Sequence, residues 1–233
     1  LGKPLRAWRV FLGLRTSWLS REAVVLGKFM GVLAGGLALT ALPIFGDWMP
    51  GWIPSWAGRG LLIASVPIGL AGLYCSAMIY IATQRQLWRP ARTLPRFLAT
   101  TFACGPMAVA AVFALNGFSK SAALLCVFGL VVASIKLFAE SKFHSDSNES
   151  NDEYDRRSKQ LISHHLGETL RARIVTGWVA VAMAFLACLL CLAFPIAGGL
   201  AATLAAAALI ATEYLERLLY FQGVVYDRMP GTL

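Results

Sequence analysis

The chain has 233 residues, of which 58% are hydrophobic and 14% charged, with a mean hydropathy of +0.64 and a formal net charge of +9. Soluble domains are about 45–50% apolar and about 25% charged, so an ordinary soluble enzyme is excluded, as is a disordered chain. The five cysteines all fall in apolar runs, which excludes a disulfide-stapled scaffold and leaves a polytopic membrane protein.

In chain order, the first segment is rich in arginine and tryptophan: Arg6-Ala7-Trp8-Arg9, then Arg15-Thr16-Ser17-Trp18-Leu19-Ser20-Arg21-Glu22. Six apolar stretches follow, over about 23–45, 60–82, 97–115, 119–140, 174–195 and 197–221. Each has about the 20 residues a helix needs to cross the hydrocarbon layer, and none alternates with the period of a barrel strand. A helix satisfies its own backbone groups where lipid cannot, so the sequence predicts an all-α transmembrane bundle in one membrane domain, 1–233.

The connections alternate in charge. Lys3, Arg6, Arg9, Arg15 and Arg21 precede the first stretch, and Arg85, Arg89, Arg92 and Arg96 follow the second. Lys142, Arg156, Arg157, Lys159, Arg171 and Arg173 follow the fourth, and Arg217 and Arg228 close the chain. The opposite connections offer Arg59 and Lys120. Basic residues resist translocation, so the basic loops and both ends of the sequence are expected in the cytoplasm, and the positive charge reflects membrane topology rather than nucleic acid. Trp48, Trp52 and Trp56 suit an aromatic belt at the other interface. The hydrophilic connection 141–173 is too short and polar to form a core, and reads as a loop or short surface helix.

The three histidines, His144, His164 and His165, all lie in that connection, so intramembrane haem on two histidines is not expected. Cys188-x-x-Cys191 has metal spacing but falls among leucines with no second pair, and the cysteines read as packing residues. No nucleotide-binding loop, zinc-protease motif or hydrolytic triad is present, so neither catalytic residues nor metal ligands are assigned to this chain. Among charges inside the stretches, Lys28 and Lys136 read as snorkelling to an interface. Glu213, Glu216 and Arg217 stand about a turn before the last stretch ends; Glu213 and Arg217 can pair on one helical face, and the group reads either as a structural ion pair between helices or as a proton-exchanging carboxylate beside a redox ligand. The leading segment reads either as an interfacial anchor or as a wall of donors and flat rings for a quinone head.

Leu1-Gly2-Lys3-Pro4-Leu5-Arg6-Ala7-Trp8 and the Arg15–Glu22 run resemble the membrane-anchor subunit family of dimethyl sulfoxide reductase, which includes the anchors of sulfite-oxidising molybdoenzymes. Cys75-Ser76-Ala77-Met78-Ile79-Tyr80, Glu213-Tyr214-Leu215-Glu216-Arg217 and Arg228-Met229-Pro230-Gly231 add to the resemblance. It implies eight transmembrane helices, with about two before Leu1, and a quinol-binding histidine immediately before the Leu-Gly-x-Pro run. It also implies two partners, a molybdopterin catalytic subunit and an iron–sulfur electron-transfer subunit, on a bacterial cytoplasmic (inner) membrane. Ubiquinone or menaquinone would exchange electrons with the iron–sulfur clusters, without haem in this chain. Arg6, Trp8, Arg15, Trp18, Glu22, Glu213 and Arg217 are the expected quinone-binding residues. The rival reading is a small-molecule or ion transporter, which would place broken helices and polar groups near the bilayer midplane, often in paired repeats.

Overall fold

Ser17 caps the first described helix: the Ser20 amide donates to its hydroxyl at 3.2 Å. A computed structural model describes residues 17–41, 54, 56–145 and 153–224. Among them regular structure is helical: α1 Trp18–Ala41, α2 Ala57–Ile81, α3 Pro90–Leu115, α4 Ser119–Ser145, α5 Glu153–His165, α6 Gly167–Ala193 and α7 Pro195–Gln222, with a 3₁₀ turn at Gln86–Trp88. All but α5 are long and apolar enough to cross a membrane, which gives the six expected spans. Pro90 and Pro195 open their helices at the position where a missing N–H loses no intrahelical bond. Trp48 and Trp52 lie outside the described residues, and Trp56 is exposed at the start of α2.

Several helices run beyond their apolar stretches. The third begins at Pro90 rather than near 97, and the sixth at Gly167 rather than near 174. Continuing the helix keeps each backbone N–H and C=O paired while charged side chains lie among neighbouring helices. Consequently little of the described part of 141–173 is loop: α4 persists to Ser145, and α5 is a short amphipathic helix whose Ser158, Lys159 and Ile162 are buried.

The helices group into two compact units, one up to Gln84 and the other from Arg85. The first is the antiparallel hairpin of α1 and α2. Its seam is made by glycines: a Cβ on Gly72 would lie 3.1 Å from the Leu26 side chain, and one on Gly36 would lie 2.9 Å from Leu62. Such close approach is how helices associate in lipid, where apolar side chains gain little by leaving the solvent.

The second unit is a four-helix bundle in which α3 packs on α4 and α7, and α6 packs on α4 and α7. The turn from α3 to α4 uses Gly117 at φ +82°, a left-handed conformation suited to glycine. The half of the bundle next to that turn is filled by small side chains, among them Ala110, Ala122, Cys126, Ala184, Cys191 and Ala202. Ile135, Leu124, Leu186, Leu200 and Ile196 point outward and are exposed, as expected of a surface bathed in lipid. The α6–α7 hairpin is the tightest junction. A Cβ on Gly198 would lie 2.5 Å from the backbone of Cys191. Gly198→Val is therefore expected to destabilise the protein by about 1–3 kcal/mol or more through overpacking. Gly105→Ala, at a glycine of α3 with open space around it, is expected to be tolerated. Thermal unfolding of the two purified variants checks the contrast.

Candidate functional site

At the entrance of α1, the helical spacing places Trp18, Arg21 and Glu22 within one turn. The guanidinium of Arg21 lies 4.5 Å from the Trp18 ring centroid, and Trp18 meets Tyr74 of α2 edge to face at 6.1 Å. The Gly72 seam seats α2 so that Ser76, one turn further, donates its hydroxyl to the Glu22 carboxylate. The described partner of this carboxylate is thus a hydroxyl rather than a cation. A carboxylate in a membrane-crossing helix is a candidate functional group, because holding charge there is costly. Flat rings, a carboxylate and a hydroxyl donor thus stand together on α1 and α2.

The second concentration of polar groups lies within the four-helix bundle. Lys136 and Glu140 come from α4, Arg173 and Thr176 from α6, and Thr212, Glu213, Glu216 and Arg217 from α7. From α3, Arg96 and Thr100 complete it. Glu213 is 7% exposed and ion-pairs with Lys136, itself 6% exposed. It also lies 3.3 Å from Arg173 and accepts the Thr100 hydroxyl at 2.6 Å. Arg173 reaches Glu140 at 2.9 Å and donates to Thr212 at 2.6 Å. Glu216 has Arg96 and Arg217 at 3.7 Å and Lys136 at 3.9 Å. Its carboxylate oxygens are buried without a hydrogen bond, beside a cavity of about 20 Å³ also lined by Glu140 and Arg173. That volume suits about one water molecule. Below the network, Tyr220 shares a hydrogen bond of 2.9 Å with Thr93 and stacks on Trp88.

Known proteins can be set beside this arrangement. The family model described as "DMSO reductase anchor subunit (DmsC)" matches residues 1–223. The chain belongs to that family. The C subunit of sulfite dehydrogenase from Allochromatium vinosum is 36% identical over 128 residues, covering 50% of this chain and 37% of that protein. No solved structure matches the chain.

Within this anchor-family chain, the expected quinone-binding residues divide three ways. Arg6, Trp8 and Arg15 lie outside the described residues. Trp18 and Glu22 come together at the α1–α2 hairpin, with Ser76, Tyr74 and Arg21 as neighbours that the sequence reading did not assign. Glu213 and Arg217 belong to the bundle, where Glu213 makes the ion pairs between helices that the sequence suggests. Glu213 turns to Lys136 and Arg173, while Arg217 turns to Glu216, to Thr100 at 3.4 Å and to the Phe97 ring at 3.9 Å. Lys136 does not snorkel; three carboxylates of the bundle surround it. Arg173, expected as a loop cation, is 3% exposed inside the same network because α6 starts earlier than its apolar run. Lys28 is exposed on α1, as a snorkelling lysine requires. His164 and His165 are exposed at the end of α5, and no cluster of three metal-ligating side chains occurs among the described residues.

Proposed function

We propose that this chain is the quinone-reactive membrane subunit of a molybdenum- and iron–sulfur-containing oxidoreductase of the bacterial cytoplasmic membrane. Membership of the anchor family supports the membrane role, and the cluster of Trp18, Glu22 and Ser76 supports a quinone site. The partners in this reading are an iron–sulfur subunit and a molybdopterin catalytic subunit, and the basic connections face the cytoplasm.

Ubiquinone or menaquinone, when bound, supplies the two-electron carrier. Trp18 and Tyr74 provide flat apolar surfaces against which its ring packs. Glu22 is positioned to accept a hydroxyl proton, and Ser76 holds that carboxylate toward α2 by donating to it. Arg21, over Trp18, keeps positive charge beside the site, where Arg6, Trp8 and Arg15 of the preceding segment would add donors and a further ring. Interactions between charges strengthen as water is excluded, so few such groups suffice.

The reading is tested by titrating the purified protein with a fluorescent quinone analogue. Saturable quenching is expected, weakened about two- to tenfold in Trp18→Ala, the range of a lost aromatic contact. Absence of saturable quenching, or identical affinity in the variant, would remove this cluster from quinone binding.

A further inference from the structure

A groove of about 390 Å³ runs between α3 and α4 on the surface of the four-helix unit and is lined by none of the residues assigned above to the quinone. Small and apolar residues form its length, including Ala99 of α3 and Ile135 of α4, the latter 64% exposed. Its lining also carries Arg92, Arg96, Lys136 and a single carboxylate, Glu140. Three cations converge there on one ring: Arg92 lies 4.8 Å, Arg96 5.7 Å and Lys159 of α5 4.6 Å from the centroid of Phe143.

The charge balance of the adjoining network points the same way. Arg96, Lys136, Arg173 and Arg217 face Glu140, Glu213 and Glu216, so the cations outnumber the carboxylates by four to three among the described residues. Excess positive charge inside a membrane protein is costly unless an anion compensates it, and two of these cations, Arg96 and Lys136, line the groove. Basic pockets between membrane helices are suited to phospholipid headgroups, and the volume falls in the range of a ligand site.

We infer that this groove is a binding site for an anionic phospholipid, with the headgroup phosphate among Arg92, Arg96 and Lys159 beside Phe143 and one acyl chain along Ala99 and Ile135. The lipid neutralises the excess charge and fastens α5 to the bundle, since Lys159 is a residue of that surface helix. A neutral quinone head would use the apolar length of the groove but not the cations.

The test uses the protein reconstituted in phosphatidylcholine vesicles carrying a trace of spin-labelled phosphatidylglycerol or spin-labelled phosphatidylcholine. The motionally restricted fraction should favour phosphatidylglycerol by about fivefold or more, the effect of one engaged cation. Ala99→Phe, which fills the groove, and Ile135→Trp, which covers it from the lipid side, should each remove the preference, and Arg92→Gln should reduce it. Leu124→Phe, on a lipid-facing site of α4 outside the groove, should retain it. Equal restricted fractions for the two lipids in the unaltered protein would overturn the inference. So would a preference untouched by both groove-filling variants, or displacement of the labelled phosphatidylglycerol by a neutral quinone analogue.

Discussion

Glu22→Gln is expected to lower quinone-linked turnover of the assembly about a hundredfold or more while leaving dye-linked turnover of its catalytic subunits unchanged. The substitution keeps the side chain's size and lets Ser76 still donate to an oxygen, so the hairpin should fold. It removes only the capacity to accept a proton, and a positioned proton acceptor is worth about 10²–10⁴ in rate. Ser76→Ala should have a smaller effect in the same direction, because it leaves the carboxylate in place but unheld. Parallel assays with a quinol analogue and with an artificial dye separate a failed quinone reaction from a failed complex. Full quinone-linked turnover in Glu22→Gln would place proton acceptance elsewhere.

The second large effect is structural. Glu213→Leu is expected to destabilise the four-helix unit by about 3–5 kcal/mol, the cost of stripping a partner from buried charges. The loss leaves Lys136 without its closest carboxylate and Arg173 with Glu140 alone, so four cations face two carboxylates. Adding Lys136→Met returns the excess to one positive charge, as in the unaltered chain, and fills the space with an apolar side chain of similar length. The double variant should therefore recover most of the lost stability. Thermal unfolding in detergent, read as a double-mutant cycle, measures the coupling. A single variant as stable as the parent, or a double variant worse than the two losses combined, would show that the pair does not hold the bundle. Retained quinone-linked turnover in the double variant would assign Glu213 a packing role, whereas its loss would restore the proton-exchanging alternative.

The spans were legible because their signal is local: about 20 consecutive apolar residues bounded by charge need no knowledge of neighbours. What each charge does was less legible. Lys136 taken alone is a lysine near the end of an apolar stretch, for which snorkelling is the ordinary outcome. Its carboxylates at 213 and 216 are more than seventy residues away, and only packing of α4 against the other helices of the bundle makes them neighbours. Arg173 was misplaced for a related reason, since the apolar run begins one residue after it although the helix begins six residues before it. One local signal was available: Lys136 and Glu140 are four apart inside a predicted span, and an i,i+4 ion pair there marks a face turned toward protein rather than lipid. For Glu213 an ion pair between helices was legible, but its partners Lys136 and Arg173 lie on other helices and only packing names them. Glu22 stood out as a carboxylate at a membrane boundary, but Ser76, fifty-four residues on, could not be named without the glycine seam that sets the register of α1 against α2.

The central claim is that this anchor-family chain passes electrons between a lipid-soluble quinone and metal centres held by companion subunits. Gentle solubilisation of the native membrane and affinity purification through this chain, followed by iron and molybdenum analysis and optical measurement of cluster reduction by a quinol analogue, tests it directly. The account predicts both metals in the purified assembly and cluster reduction that an excess of a non-reducible quinone analogue blocks. Isolation of the chain free of iron and molybdenum, or cluster reduction indifferent to the analogue, would contradict it.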